Sequence, residues 1–126
     1  MPLTLWIAAG GAVGAGARHL VNVGATRLLG HSFPYGTFTV NVLGSLIMGL
    51  LIGLMALKWS ASQEMRAFLT TGMLGGFTTF STFSLDFATI WDRKAHALAL
   101  LYAGSSVGTS LIAVFFGLWL MRWVLA

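Results

Sequence analysis

Gly75-Gly76-Phe77-Thr78-Thr79-Phe80-Ser81-Thr82-Phe83-Ser84 lies in the middle of a long apolar run, and its reading decides the fold. Two adjacent glycines followed by five hydroxyl residues and interleaved with three phenylalanines make a poor continuous helix. A glycine costs about 1 kcal/mol against alanine inside a helix. Helices that break at membrane depth do so where the freed carbonyls and amides line a cavity or hold an ion. The stretch therefore predicts a third helix broken near Gly75 to Thr79 at the centre of a bundle. A kink packed tightly against a neighbour fits the composition equally well.

The rest of the chain supplies the bundle. Hydrophobic residues make up 57% and charged residues 8% of 126, and the mean hydropathy is +0.86. A soluble domain carries roughly 25% charged residues, so this chain cannot cover itself with a water-facing surface. A membrane-spanning helix needs about 20 apolar residues. The length therefore holds four spans, at about 3–29, 35–57, 64–91 and 95–123, as a single domain. Gly30 to Pro34 reads as a turn. Polar residues from Lys58 to Gln63 and from Asp92 to Lys94 mark the other boundaries. The first run has small residues at Gly14 to Ala17 that imitate a cleavage region. No basic residue precedes it as a secretory leader requires, so it reads as a helix. Runs of this length without alternation are helical, because hydrocarbon tolerates only helices and closed barrels. The expected class is an all-α membrane protein.

Seven Lys and Arg against three Asp and Glu give a net charge of +4. The basic residues are scattered singly, which suits a bilayer surface and not nucleic acid. No cysteine is present, which removes thiolate metal sites, disulfides and thiol nucleophiles. With four spans, Lys58, Arg66 and Arg122 fall on the side of the termini, and Arg27, Arg93 and Lys94 on the other. Topology follows Lys and Arg asymmetry, and here there is none. The expectation is that the chain inserts both ways and pairs antiparallel as a homodimer, whose twofold symmetry gives polar residues at depth a second wall to face. Small residues four apart at Gly10 and Gly14, Ser45, Gly49 and Gly53, Gly72 and Gly76, and Gly104 and Gly108 let backbones approach closely.

Several polar residues inside the spans are candidates for function. Phe80 and Phe83 share a helix face, with Ser81 and Ser84 turned away from it. Aromatic rings are positive at their edges, so paired edges can flank a small anion without a charge that would trap it. Asn41, mid-span, has an amide with two donors. It serves either as a helix-to-helix clamp or as a ligand facing a wet path. Tyr102, Ser106 and Ser110 recur every four residues and form a hydroxyl stripe that could replace an anion's hydration stepwise, unless each bonds back to its own helix. Arg18 lies deep in the first run, where it either raises the local anion concentration or snorkels to the interface. Asp86 lies within the third span with no evident partner.

These segments resemble the dual-topology fluoride channels, the Fluc or CrcB family. The likeness rests on GGAVGAGAR at Gly10–Arg18, YGTFTVN at Tyr35–Asn41 and TTGMLGGFTTFSTFS at Thr70–Ser84. It extends over the four-span layout of the whole chain. The resemblance implies a passive fluoride channel in the bacterial cytoplasmic (inner) membrane, working as an antiparallel homodimer with two pores. Phe80 and Phe83 would supply the ring edges of the path and Asn41 its amide. Thr37 and Ser110 would be vestibule ligands, Ser81 and Thr82 would lie on the path, and Tyr102, Ser106 and Ser110 would form the polar track. Arg18 matches the family's first-helix arginine. A structural Na⁺ would be held by the backbone carbonyls of Gly75 and Thr78. Val114 stands where the stripe would continue with Thr in some members, which shortens the track.

Two other classes compete. A small multidrug transporter is also short, four-helical and dual-topology, but it needs a carboxylate in the first span, where this chain carries Arg18. A non-conducting subunit of a membrane assembly needs none of the polar residues named. An enzyme is disfavoured: His19, His31 and His96 lie in separate regions without ligand spacing, and no two carboxylates are placed for acid and base roles.

Overall fold

Pro2 opens the first helix and Gly30 closes it. The computed structural model describes residues 2–125. In it α1 (Leu3–Leu29) runs for 27 residues and ends where Gly30, at φ 86°, donates its N–H to the Thr26 carbonyl. That left-handed conformation favours glycine. Pro34 then leads directly into α2 (Tyr35–Leu57).

The third helix, α3, spans 63–77 in three joined segments. Gln63–Arg66 is α-helical and is capped by Ser62, whose Oγ accepts the Met65 N–H. Ala67–Leu74 forms wide π-helical turns, and Gly75–Phe77 is α-helical again. After two extended residues, α4 (Phe80–Asp92) begins, and a tight turn with Lys94 at φ 67° leads to α5 (His96–Leu125), 30 residues long. Elements begin and end within a few residues of the sequence expectation. No strand occurs among the described residues, and the fold is all-α. By length and apolarity α2 and α5 each suffice to cross a membrane.

The break in the third helix is more local than the glycines suggest. Gly75 is still helical at φ −61° and ψ −37°, and the chain turns extended only at Thr78 (ψ 161°) and Thr79 (φ −154°, ψ 121°). The glycines serve packing. A Cβ on Gly76 would stand 2.6 Å from the Gly11 carbonyl oxygen, and one on Gly72 would stand 2.7 Å from that of Ile7. From the facing side, Cβ atoms on Gly10 and Gly14 would overlap the carbonyls of Phe68 and Met73. α1 and α3 thus meet backbone to backbone, as small residues at fourfold spacing permit. A second seam joins α2 to α5, where a Cβ on Gly117 would lie 2.7 Å from the Leu46 carbonyl oxygen. α4 packs on α5 through Ile90, Ala99 and Tyr102, with Phe33, Phe38 and Phe87 around them.

Candidate functional site

The break is held open by Asn41. Its Nδ2 donates to the Thr79 carbonyl at 3.1 Å, and the Thr79 N–H donates to its Oδ1 at 2.8 Å. In a continuous helix that N–H would go to the Gly75 carbonyl. The Thr82 N–H, which would go to the Thr78 carbonyl, donates instead to Thr79 Oγ1 at 3.2 Å and caps α4. Asn41 is therefore a helix-to-helix clamp. The clamp uses one of its two N–H donors.

Beside the clamp lies a cleft of about 260 Å³ whose lining includes Asn41, Ser45, Thr78, Phe80, Ser106 and Ser110, with Phe83 at its edge. Phe80 and Phe83 pack at a centroid distance of 5.7 Å and an interplanar angle of 49°, and Phe80 is 78% exposed. The Oγ atoms of Ser106 and Ser110 are buried and have no hydrogen-bond partner among the described residues. A buried hydroxyl left unsatisfied costs about 1–3 kcal/mol. Ser84, in contrast, bonds back to the Phe80 carbonyl at 3.0 Å. The cleft is thus lined by two unspent hydroxyls, a partly spent amide and two phenylalanine rings, and no formal charge lines it. That donor set suits a small, strongly hydrated anion.

The hydroxyl stripe expected on the fourth span divides at Tyr102. Ser106 and Ser110 line the cleft, whereas Tyr102 is fully buried and lines none of the clefts. Its ring lies 5.2 Å from Phe83 and 5.2 Å from Phe33, and its hydroxyl donates to Asp86 Oδ2 at 3.2 Å. Asp86 thereby gains the partner the sequence did not reveal. Beyond this aromatic partition is a second cavity of about 350 Å³, and Thr37 and Thr82 line that one. Thr37 and Ser110, expected together, therefore line different spaces. Ser81 is exposed and lines neither space. Arg18 is half-buried, its buried Nε has no partner among the described residues, and it lines neither space. Val114 and Ser110 border a third hollow that also includes Gly75 and Thr78.

Among the described residues no group of three or more His, Asp or Glu could hold a metal. The backbone offers an alternative. The carbonyls of Gly75 and Thr78 have lost their helical donors to Asn41 and Thr79, and free carbonyl oxygens suit a hard cation such as Na⁺. These residues fit such an ion as part of a larger set of oxygens. It would supply positive charge at the break.

Sequence reading missed Ser45 and Thr78 as lining residues. The signal for Ser45 was present, since it follows Asn41 by one helical turn on the same face. The Tyr102–Asp86 bond had no such signal, because it joins two helices 16 residues apart in sequence.

A seam-packed, all-helical integral membrane protein with an aromatic-edged cleft of unspent donors is the class that fold and site define. Residues 5–118 match the family model described as CrcB-like protein, Camphor Resistance (CrcB). The chain belongs to the CrcB family. It is 56% identical over 116 residues to the fluoride-specific ion channel FluC of Chelativorans sp., covering 92% of this chain and 93% of that one. It is 52% identical over 118 residues to the FluC of Mesorhizobium japonicum, covering 94% of each. With the FluC of Agrobacterium fabrum it shares 51% over 116 residues, 92% of this chain and 93% of that one.

Proposed function

We propose that this protein is a fluoride-selective channel of the bacterial cytoplasmic membrane that lets fluoride leave the cell passively and so lowers its toxicity. The observation that carries the reading is the cleft, which Asn41, Ser106 and Ser110 line together with Phe80 and Phe83 and where both serine hydroxyls lack partners among the described residues. Such donors compensate for the water a small anion sheds, and a larger halide fits them poorly. The named activity of the relatives, at half or more of their residues in common, supports the same assignment. The protein conducts and does not catalyse.

The working form is an antiparallel homodimer with two pores, each chain crossing the bilayer four times. Support comes from what one chain leaves open. Phe80 is largely exposed, and Val107, which lines the same cleft, is about half exposed. A second copy against that face would close the cleft and double the set of carbonyls from Gly75 and Thr78, to hold one structural Na⁺. Arg18 would add positive potential near a vestibule.

The test is fluoride efflux from liposomes holding the purified protein, followed by an ion-selective electrode, with chloride efflux and the Phe80→Ile and Asn41→Ala variants alongside. Rapid fluoride release without chloride release, lost in the variants, is expected. No fluoride release from a folded dimer would overturn the reading. Replacing Na⁺ by a larger cation throughout the preparation is expected to abolish release if the carbonyl site matters.

A further inference from the structure

The cavity of about 350 Å³ has a lining unlike that of the cleft, with both an acid and a base in it. It lies between α1, α2 and α4 at the end that carries the Gly30–Pro34 turn, and its lining includes Asn22, His31, Thr37, Thr82, Asp86 and Arg93. Neighbouring residues of α4 connect the two spaces: Phe83 borders the cleft, and Thr82 borders the cavity. The Tyr102 ring packs between Phe83, which borders the cleft, and Phe33, which borders the cavity.

Its charges are arranged with depth. Asp86, near the partition, would repel an arriving anion, and the Tyr102 hydroxyl occupies one of its oxygens. Arg93 follows seven residues later on α4, about 10 Å along the axis at two turns, where the helix ends and its side chain is exposed. Asn22 of α1 is seated against the backbone of Gly36, where a Cβ would overlap its Oδ1. Along α4 the order from the helix end inward is a cation at Arg93, a hydroxyl at Thr89, the engaged Asp86 carboxylate and a second hydroxyl at Thr82.

We propose that this cavity is the second mouth of the fluoride path, with Arg93 recruiting the anion and Asn22 lining its way to the Phe83–Tyr102 partition. The inference rests on the channel reading. A charge lining a confined mouth changes the entry rate of an oppositely charged ion, and salt screens the effect, with a Debye length of about 30 Å at 0.01 M and about 3 Å at 1 M.

Fluoride efflux is measured for the wild type, Arg93→Gln, Arg93→Lys and Arg27→Gln at both ionic strengths. Arg93→Gln is expected to be slower than wild type by roughly threefold to tenfold at low salt and to equal it at high salt. Arg93→Lys should restore the rate, and Arg27→Gln, an exposed cation on the same end that lines no cavity, should leave it unchanged. Equal rates for wild type and Arg93→Gln at low salt would overturn the proposal while the channel reading stands. A non-conducting wild type would sink the channel reading itself. A second measurement does not depend on the charge variants. The chain has no cysteine, so Asn22→Cys can be labelled alone with impermeant thiol reagents. A negatively charged adduct should slow efflux far more than a positively charged one. Equal effects of the two adducts, or no labelling, would count against a wet mouth there.

Discussion

The α1–α3 seam and the cleft between α2, α4 and α5 are built from the same small and hydroxyl-bearing residues, yet they end in opposite states. At the seam every glycine is answered by a backbone carbonyl from the facing helix, and nothing remains to be added. At the cleft two serine hydroxyls and most of a phenylalanine are left without partners by the chain itself. Small residues close to van der Waals contact where they meet other small residues, and they leave donors unspent where they meet aromatic rings. One region serves stability and the other keeps its interactions available for an ion.

The largest effect should come from filling the seam. Gly14→Leu places side-chain atoms on the Met73 carbonyl, a backbone group that cannot rotate away. Overpacking costs about 1–3 kcal/mol, more where backbone must move. No monodisperse protein is expected on size-exclusion chromatography, and recovery of a normal peak would break the comparison. Next is Asn41→Ala, which strands the Thr79 N–H and carbonyl at about 1–3 kcal/mol each. Fluoride efflux should fall to the leak of empty liposomes, and the thermal midpoint should drop. An unchanged midpoint would mean that the break needs no clamp.

The serines sharpen the contrast because their two readouts should diverge. Ser106→Ala and Ser110→Ala remove buried hydroxyls that have no partner among the described residues, so stability should hold or rise slightly. Each loses one ion contact, worth about 1.4 kcal/mol or a tenfold fall in efflux. A loss of stability with efflux intact would assign the serines to packing. The smallest effect belongs to Gly24→Ala on α1, where a Cβ meets nothing within 4 Å. Helix propensity should raise stability by up to about 1 kcal/mol, read as a higher thermal midpoint at unchanged efflux.

Much of this contrast was legible in the sequence, and the limits of legibility follow physical lines. Helix bounds came from apolar length and from punctuation at Gly30, Pro34 and Lys58, because these are local properties. Asn41, Phe80, Ser106 and Ser110 stood out because polar or ring-edged groups recur at helical spacing in apolar runs, and the structure brings those four together. The break falls within the expected Gly75 to Thr79, at Thr78 and Thr79, but the glycines were given the wrong role because they were weighed by helix propensity. Their lack of a side chain against α1 is what matters there, and that depends on a helix some sixty residues away. The stripe from Tyr102 to Ser110 was read as continuous because spacing fixes a helix face but not the neighbours along it. Phe33 and Asp86, from other elements, enclose Tyr102 alone. The π-helical turns at Ala67–Leu74 gave no warning, since nothing in AFLTTGML distinguishes them from an ordinary helix.

The pair of bonds between Asn41 and Thr79 also orders events during synthesis. Thr79 leaves the ribosome 38 residues after the side chain that will hold it. Until α2 is alongside, the extended residues have no partner for their amide and carbonyl. In hydrocarbon that favours an unbroken third helix, with the Thr79 N–H returned to Gly75. The nascent chain would therefore enter the bilayer with a straight segment and convert it only when the second helix docks. Permeability would appear late in biogenesis, and an incompletely assembled chain would stay sealed.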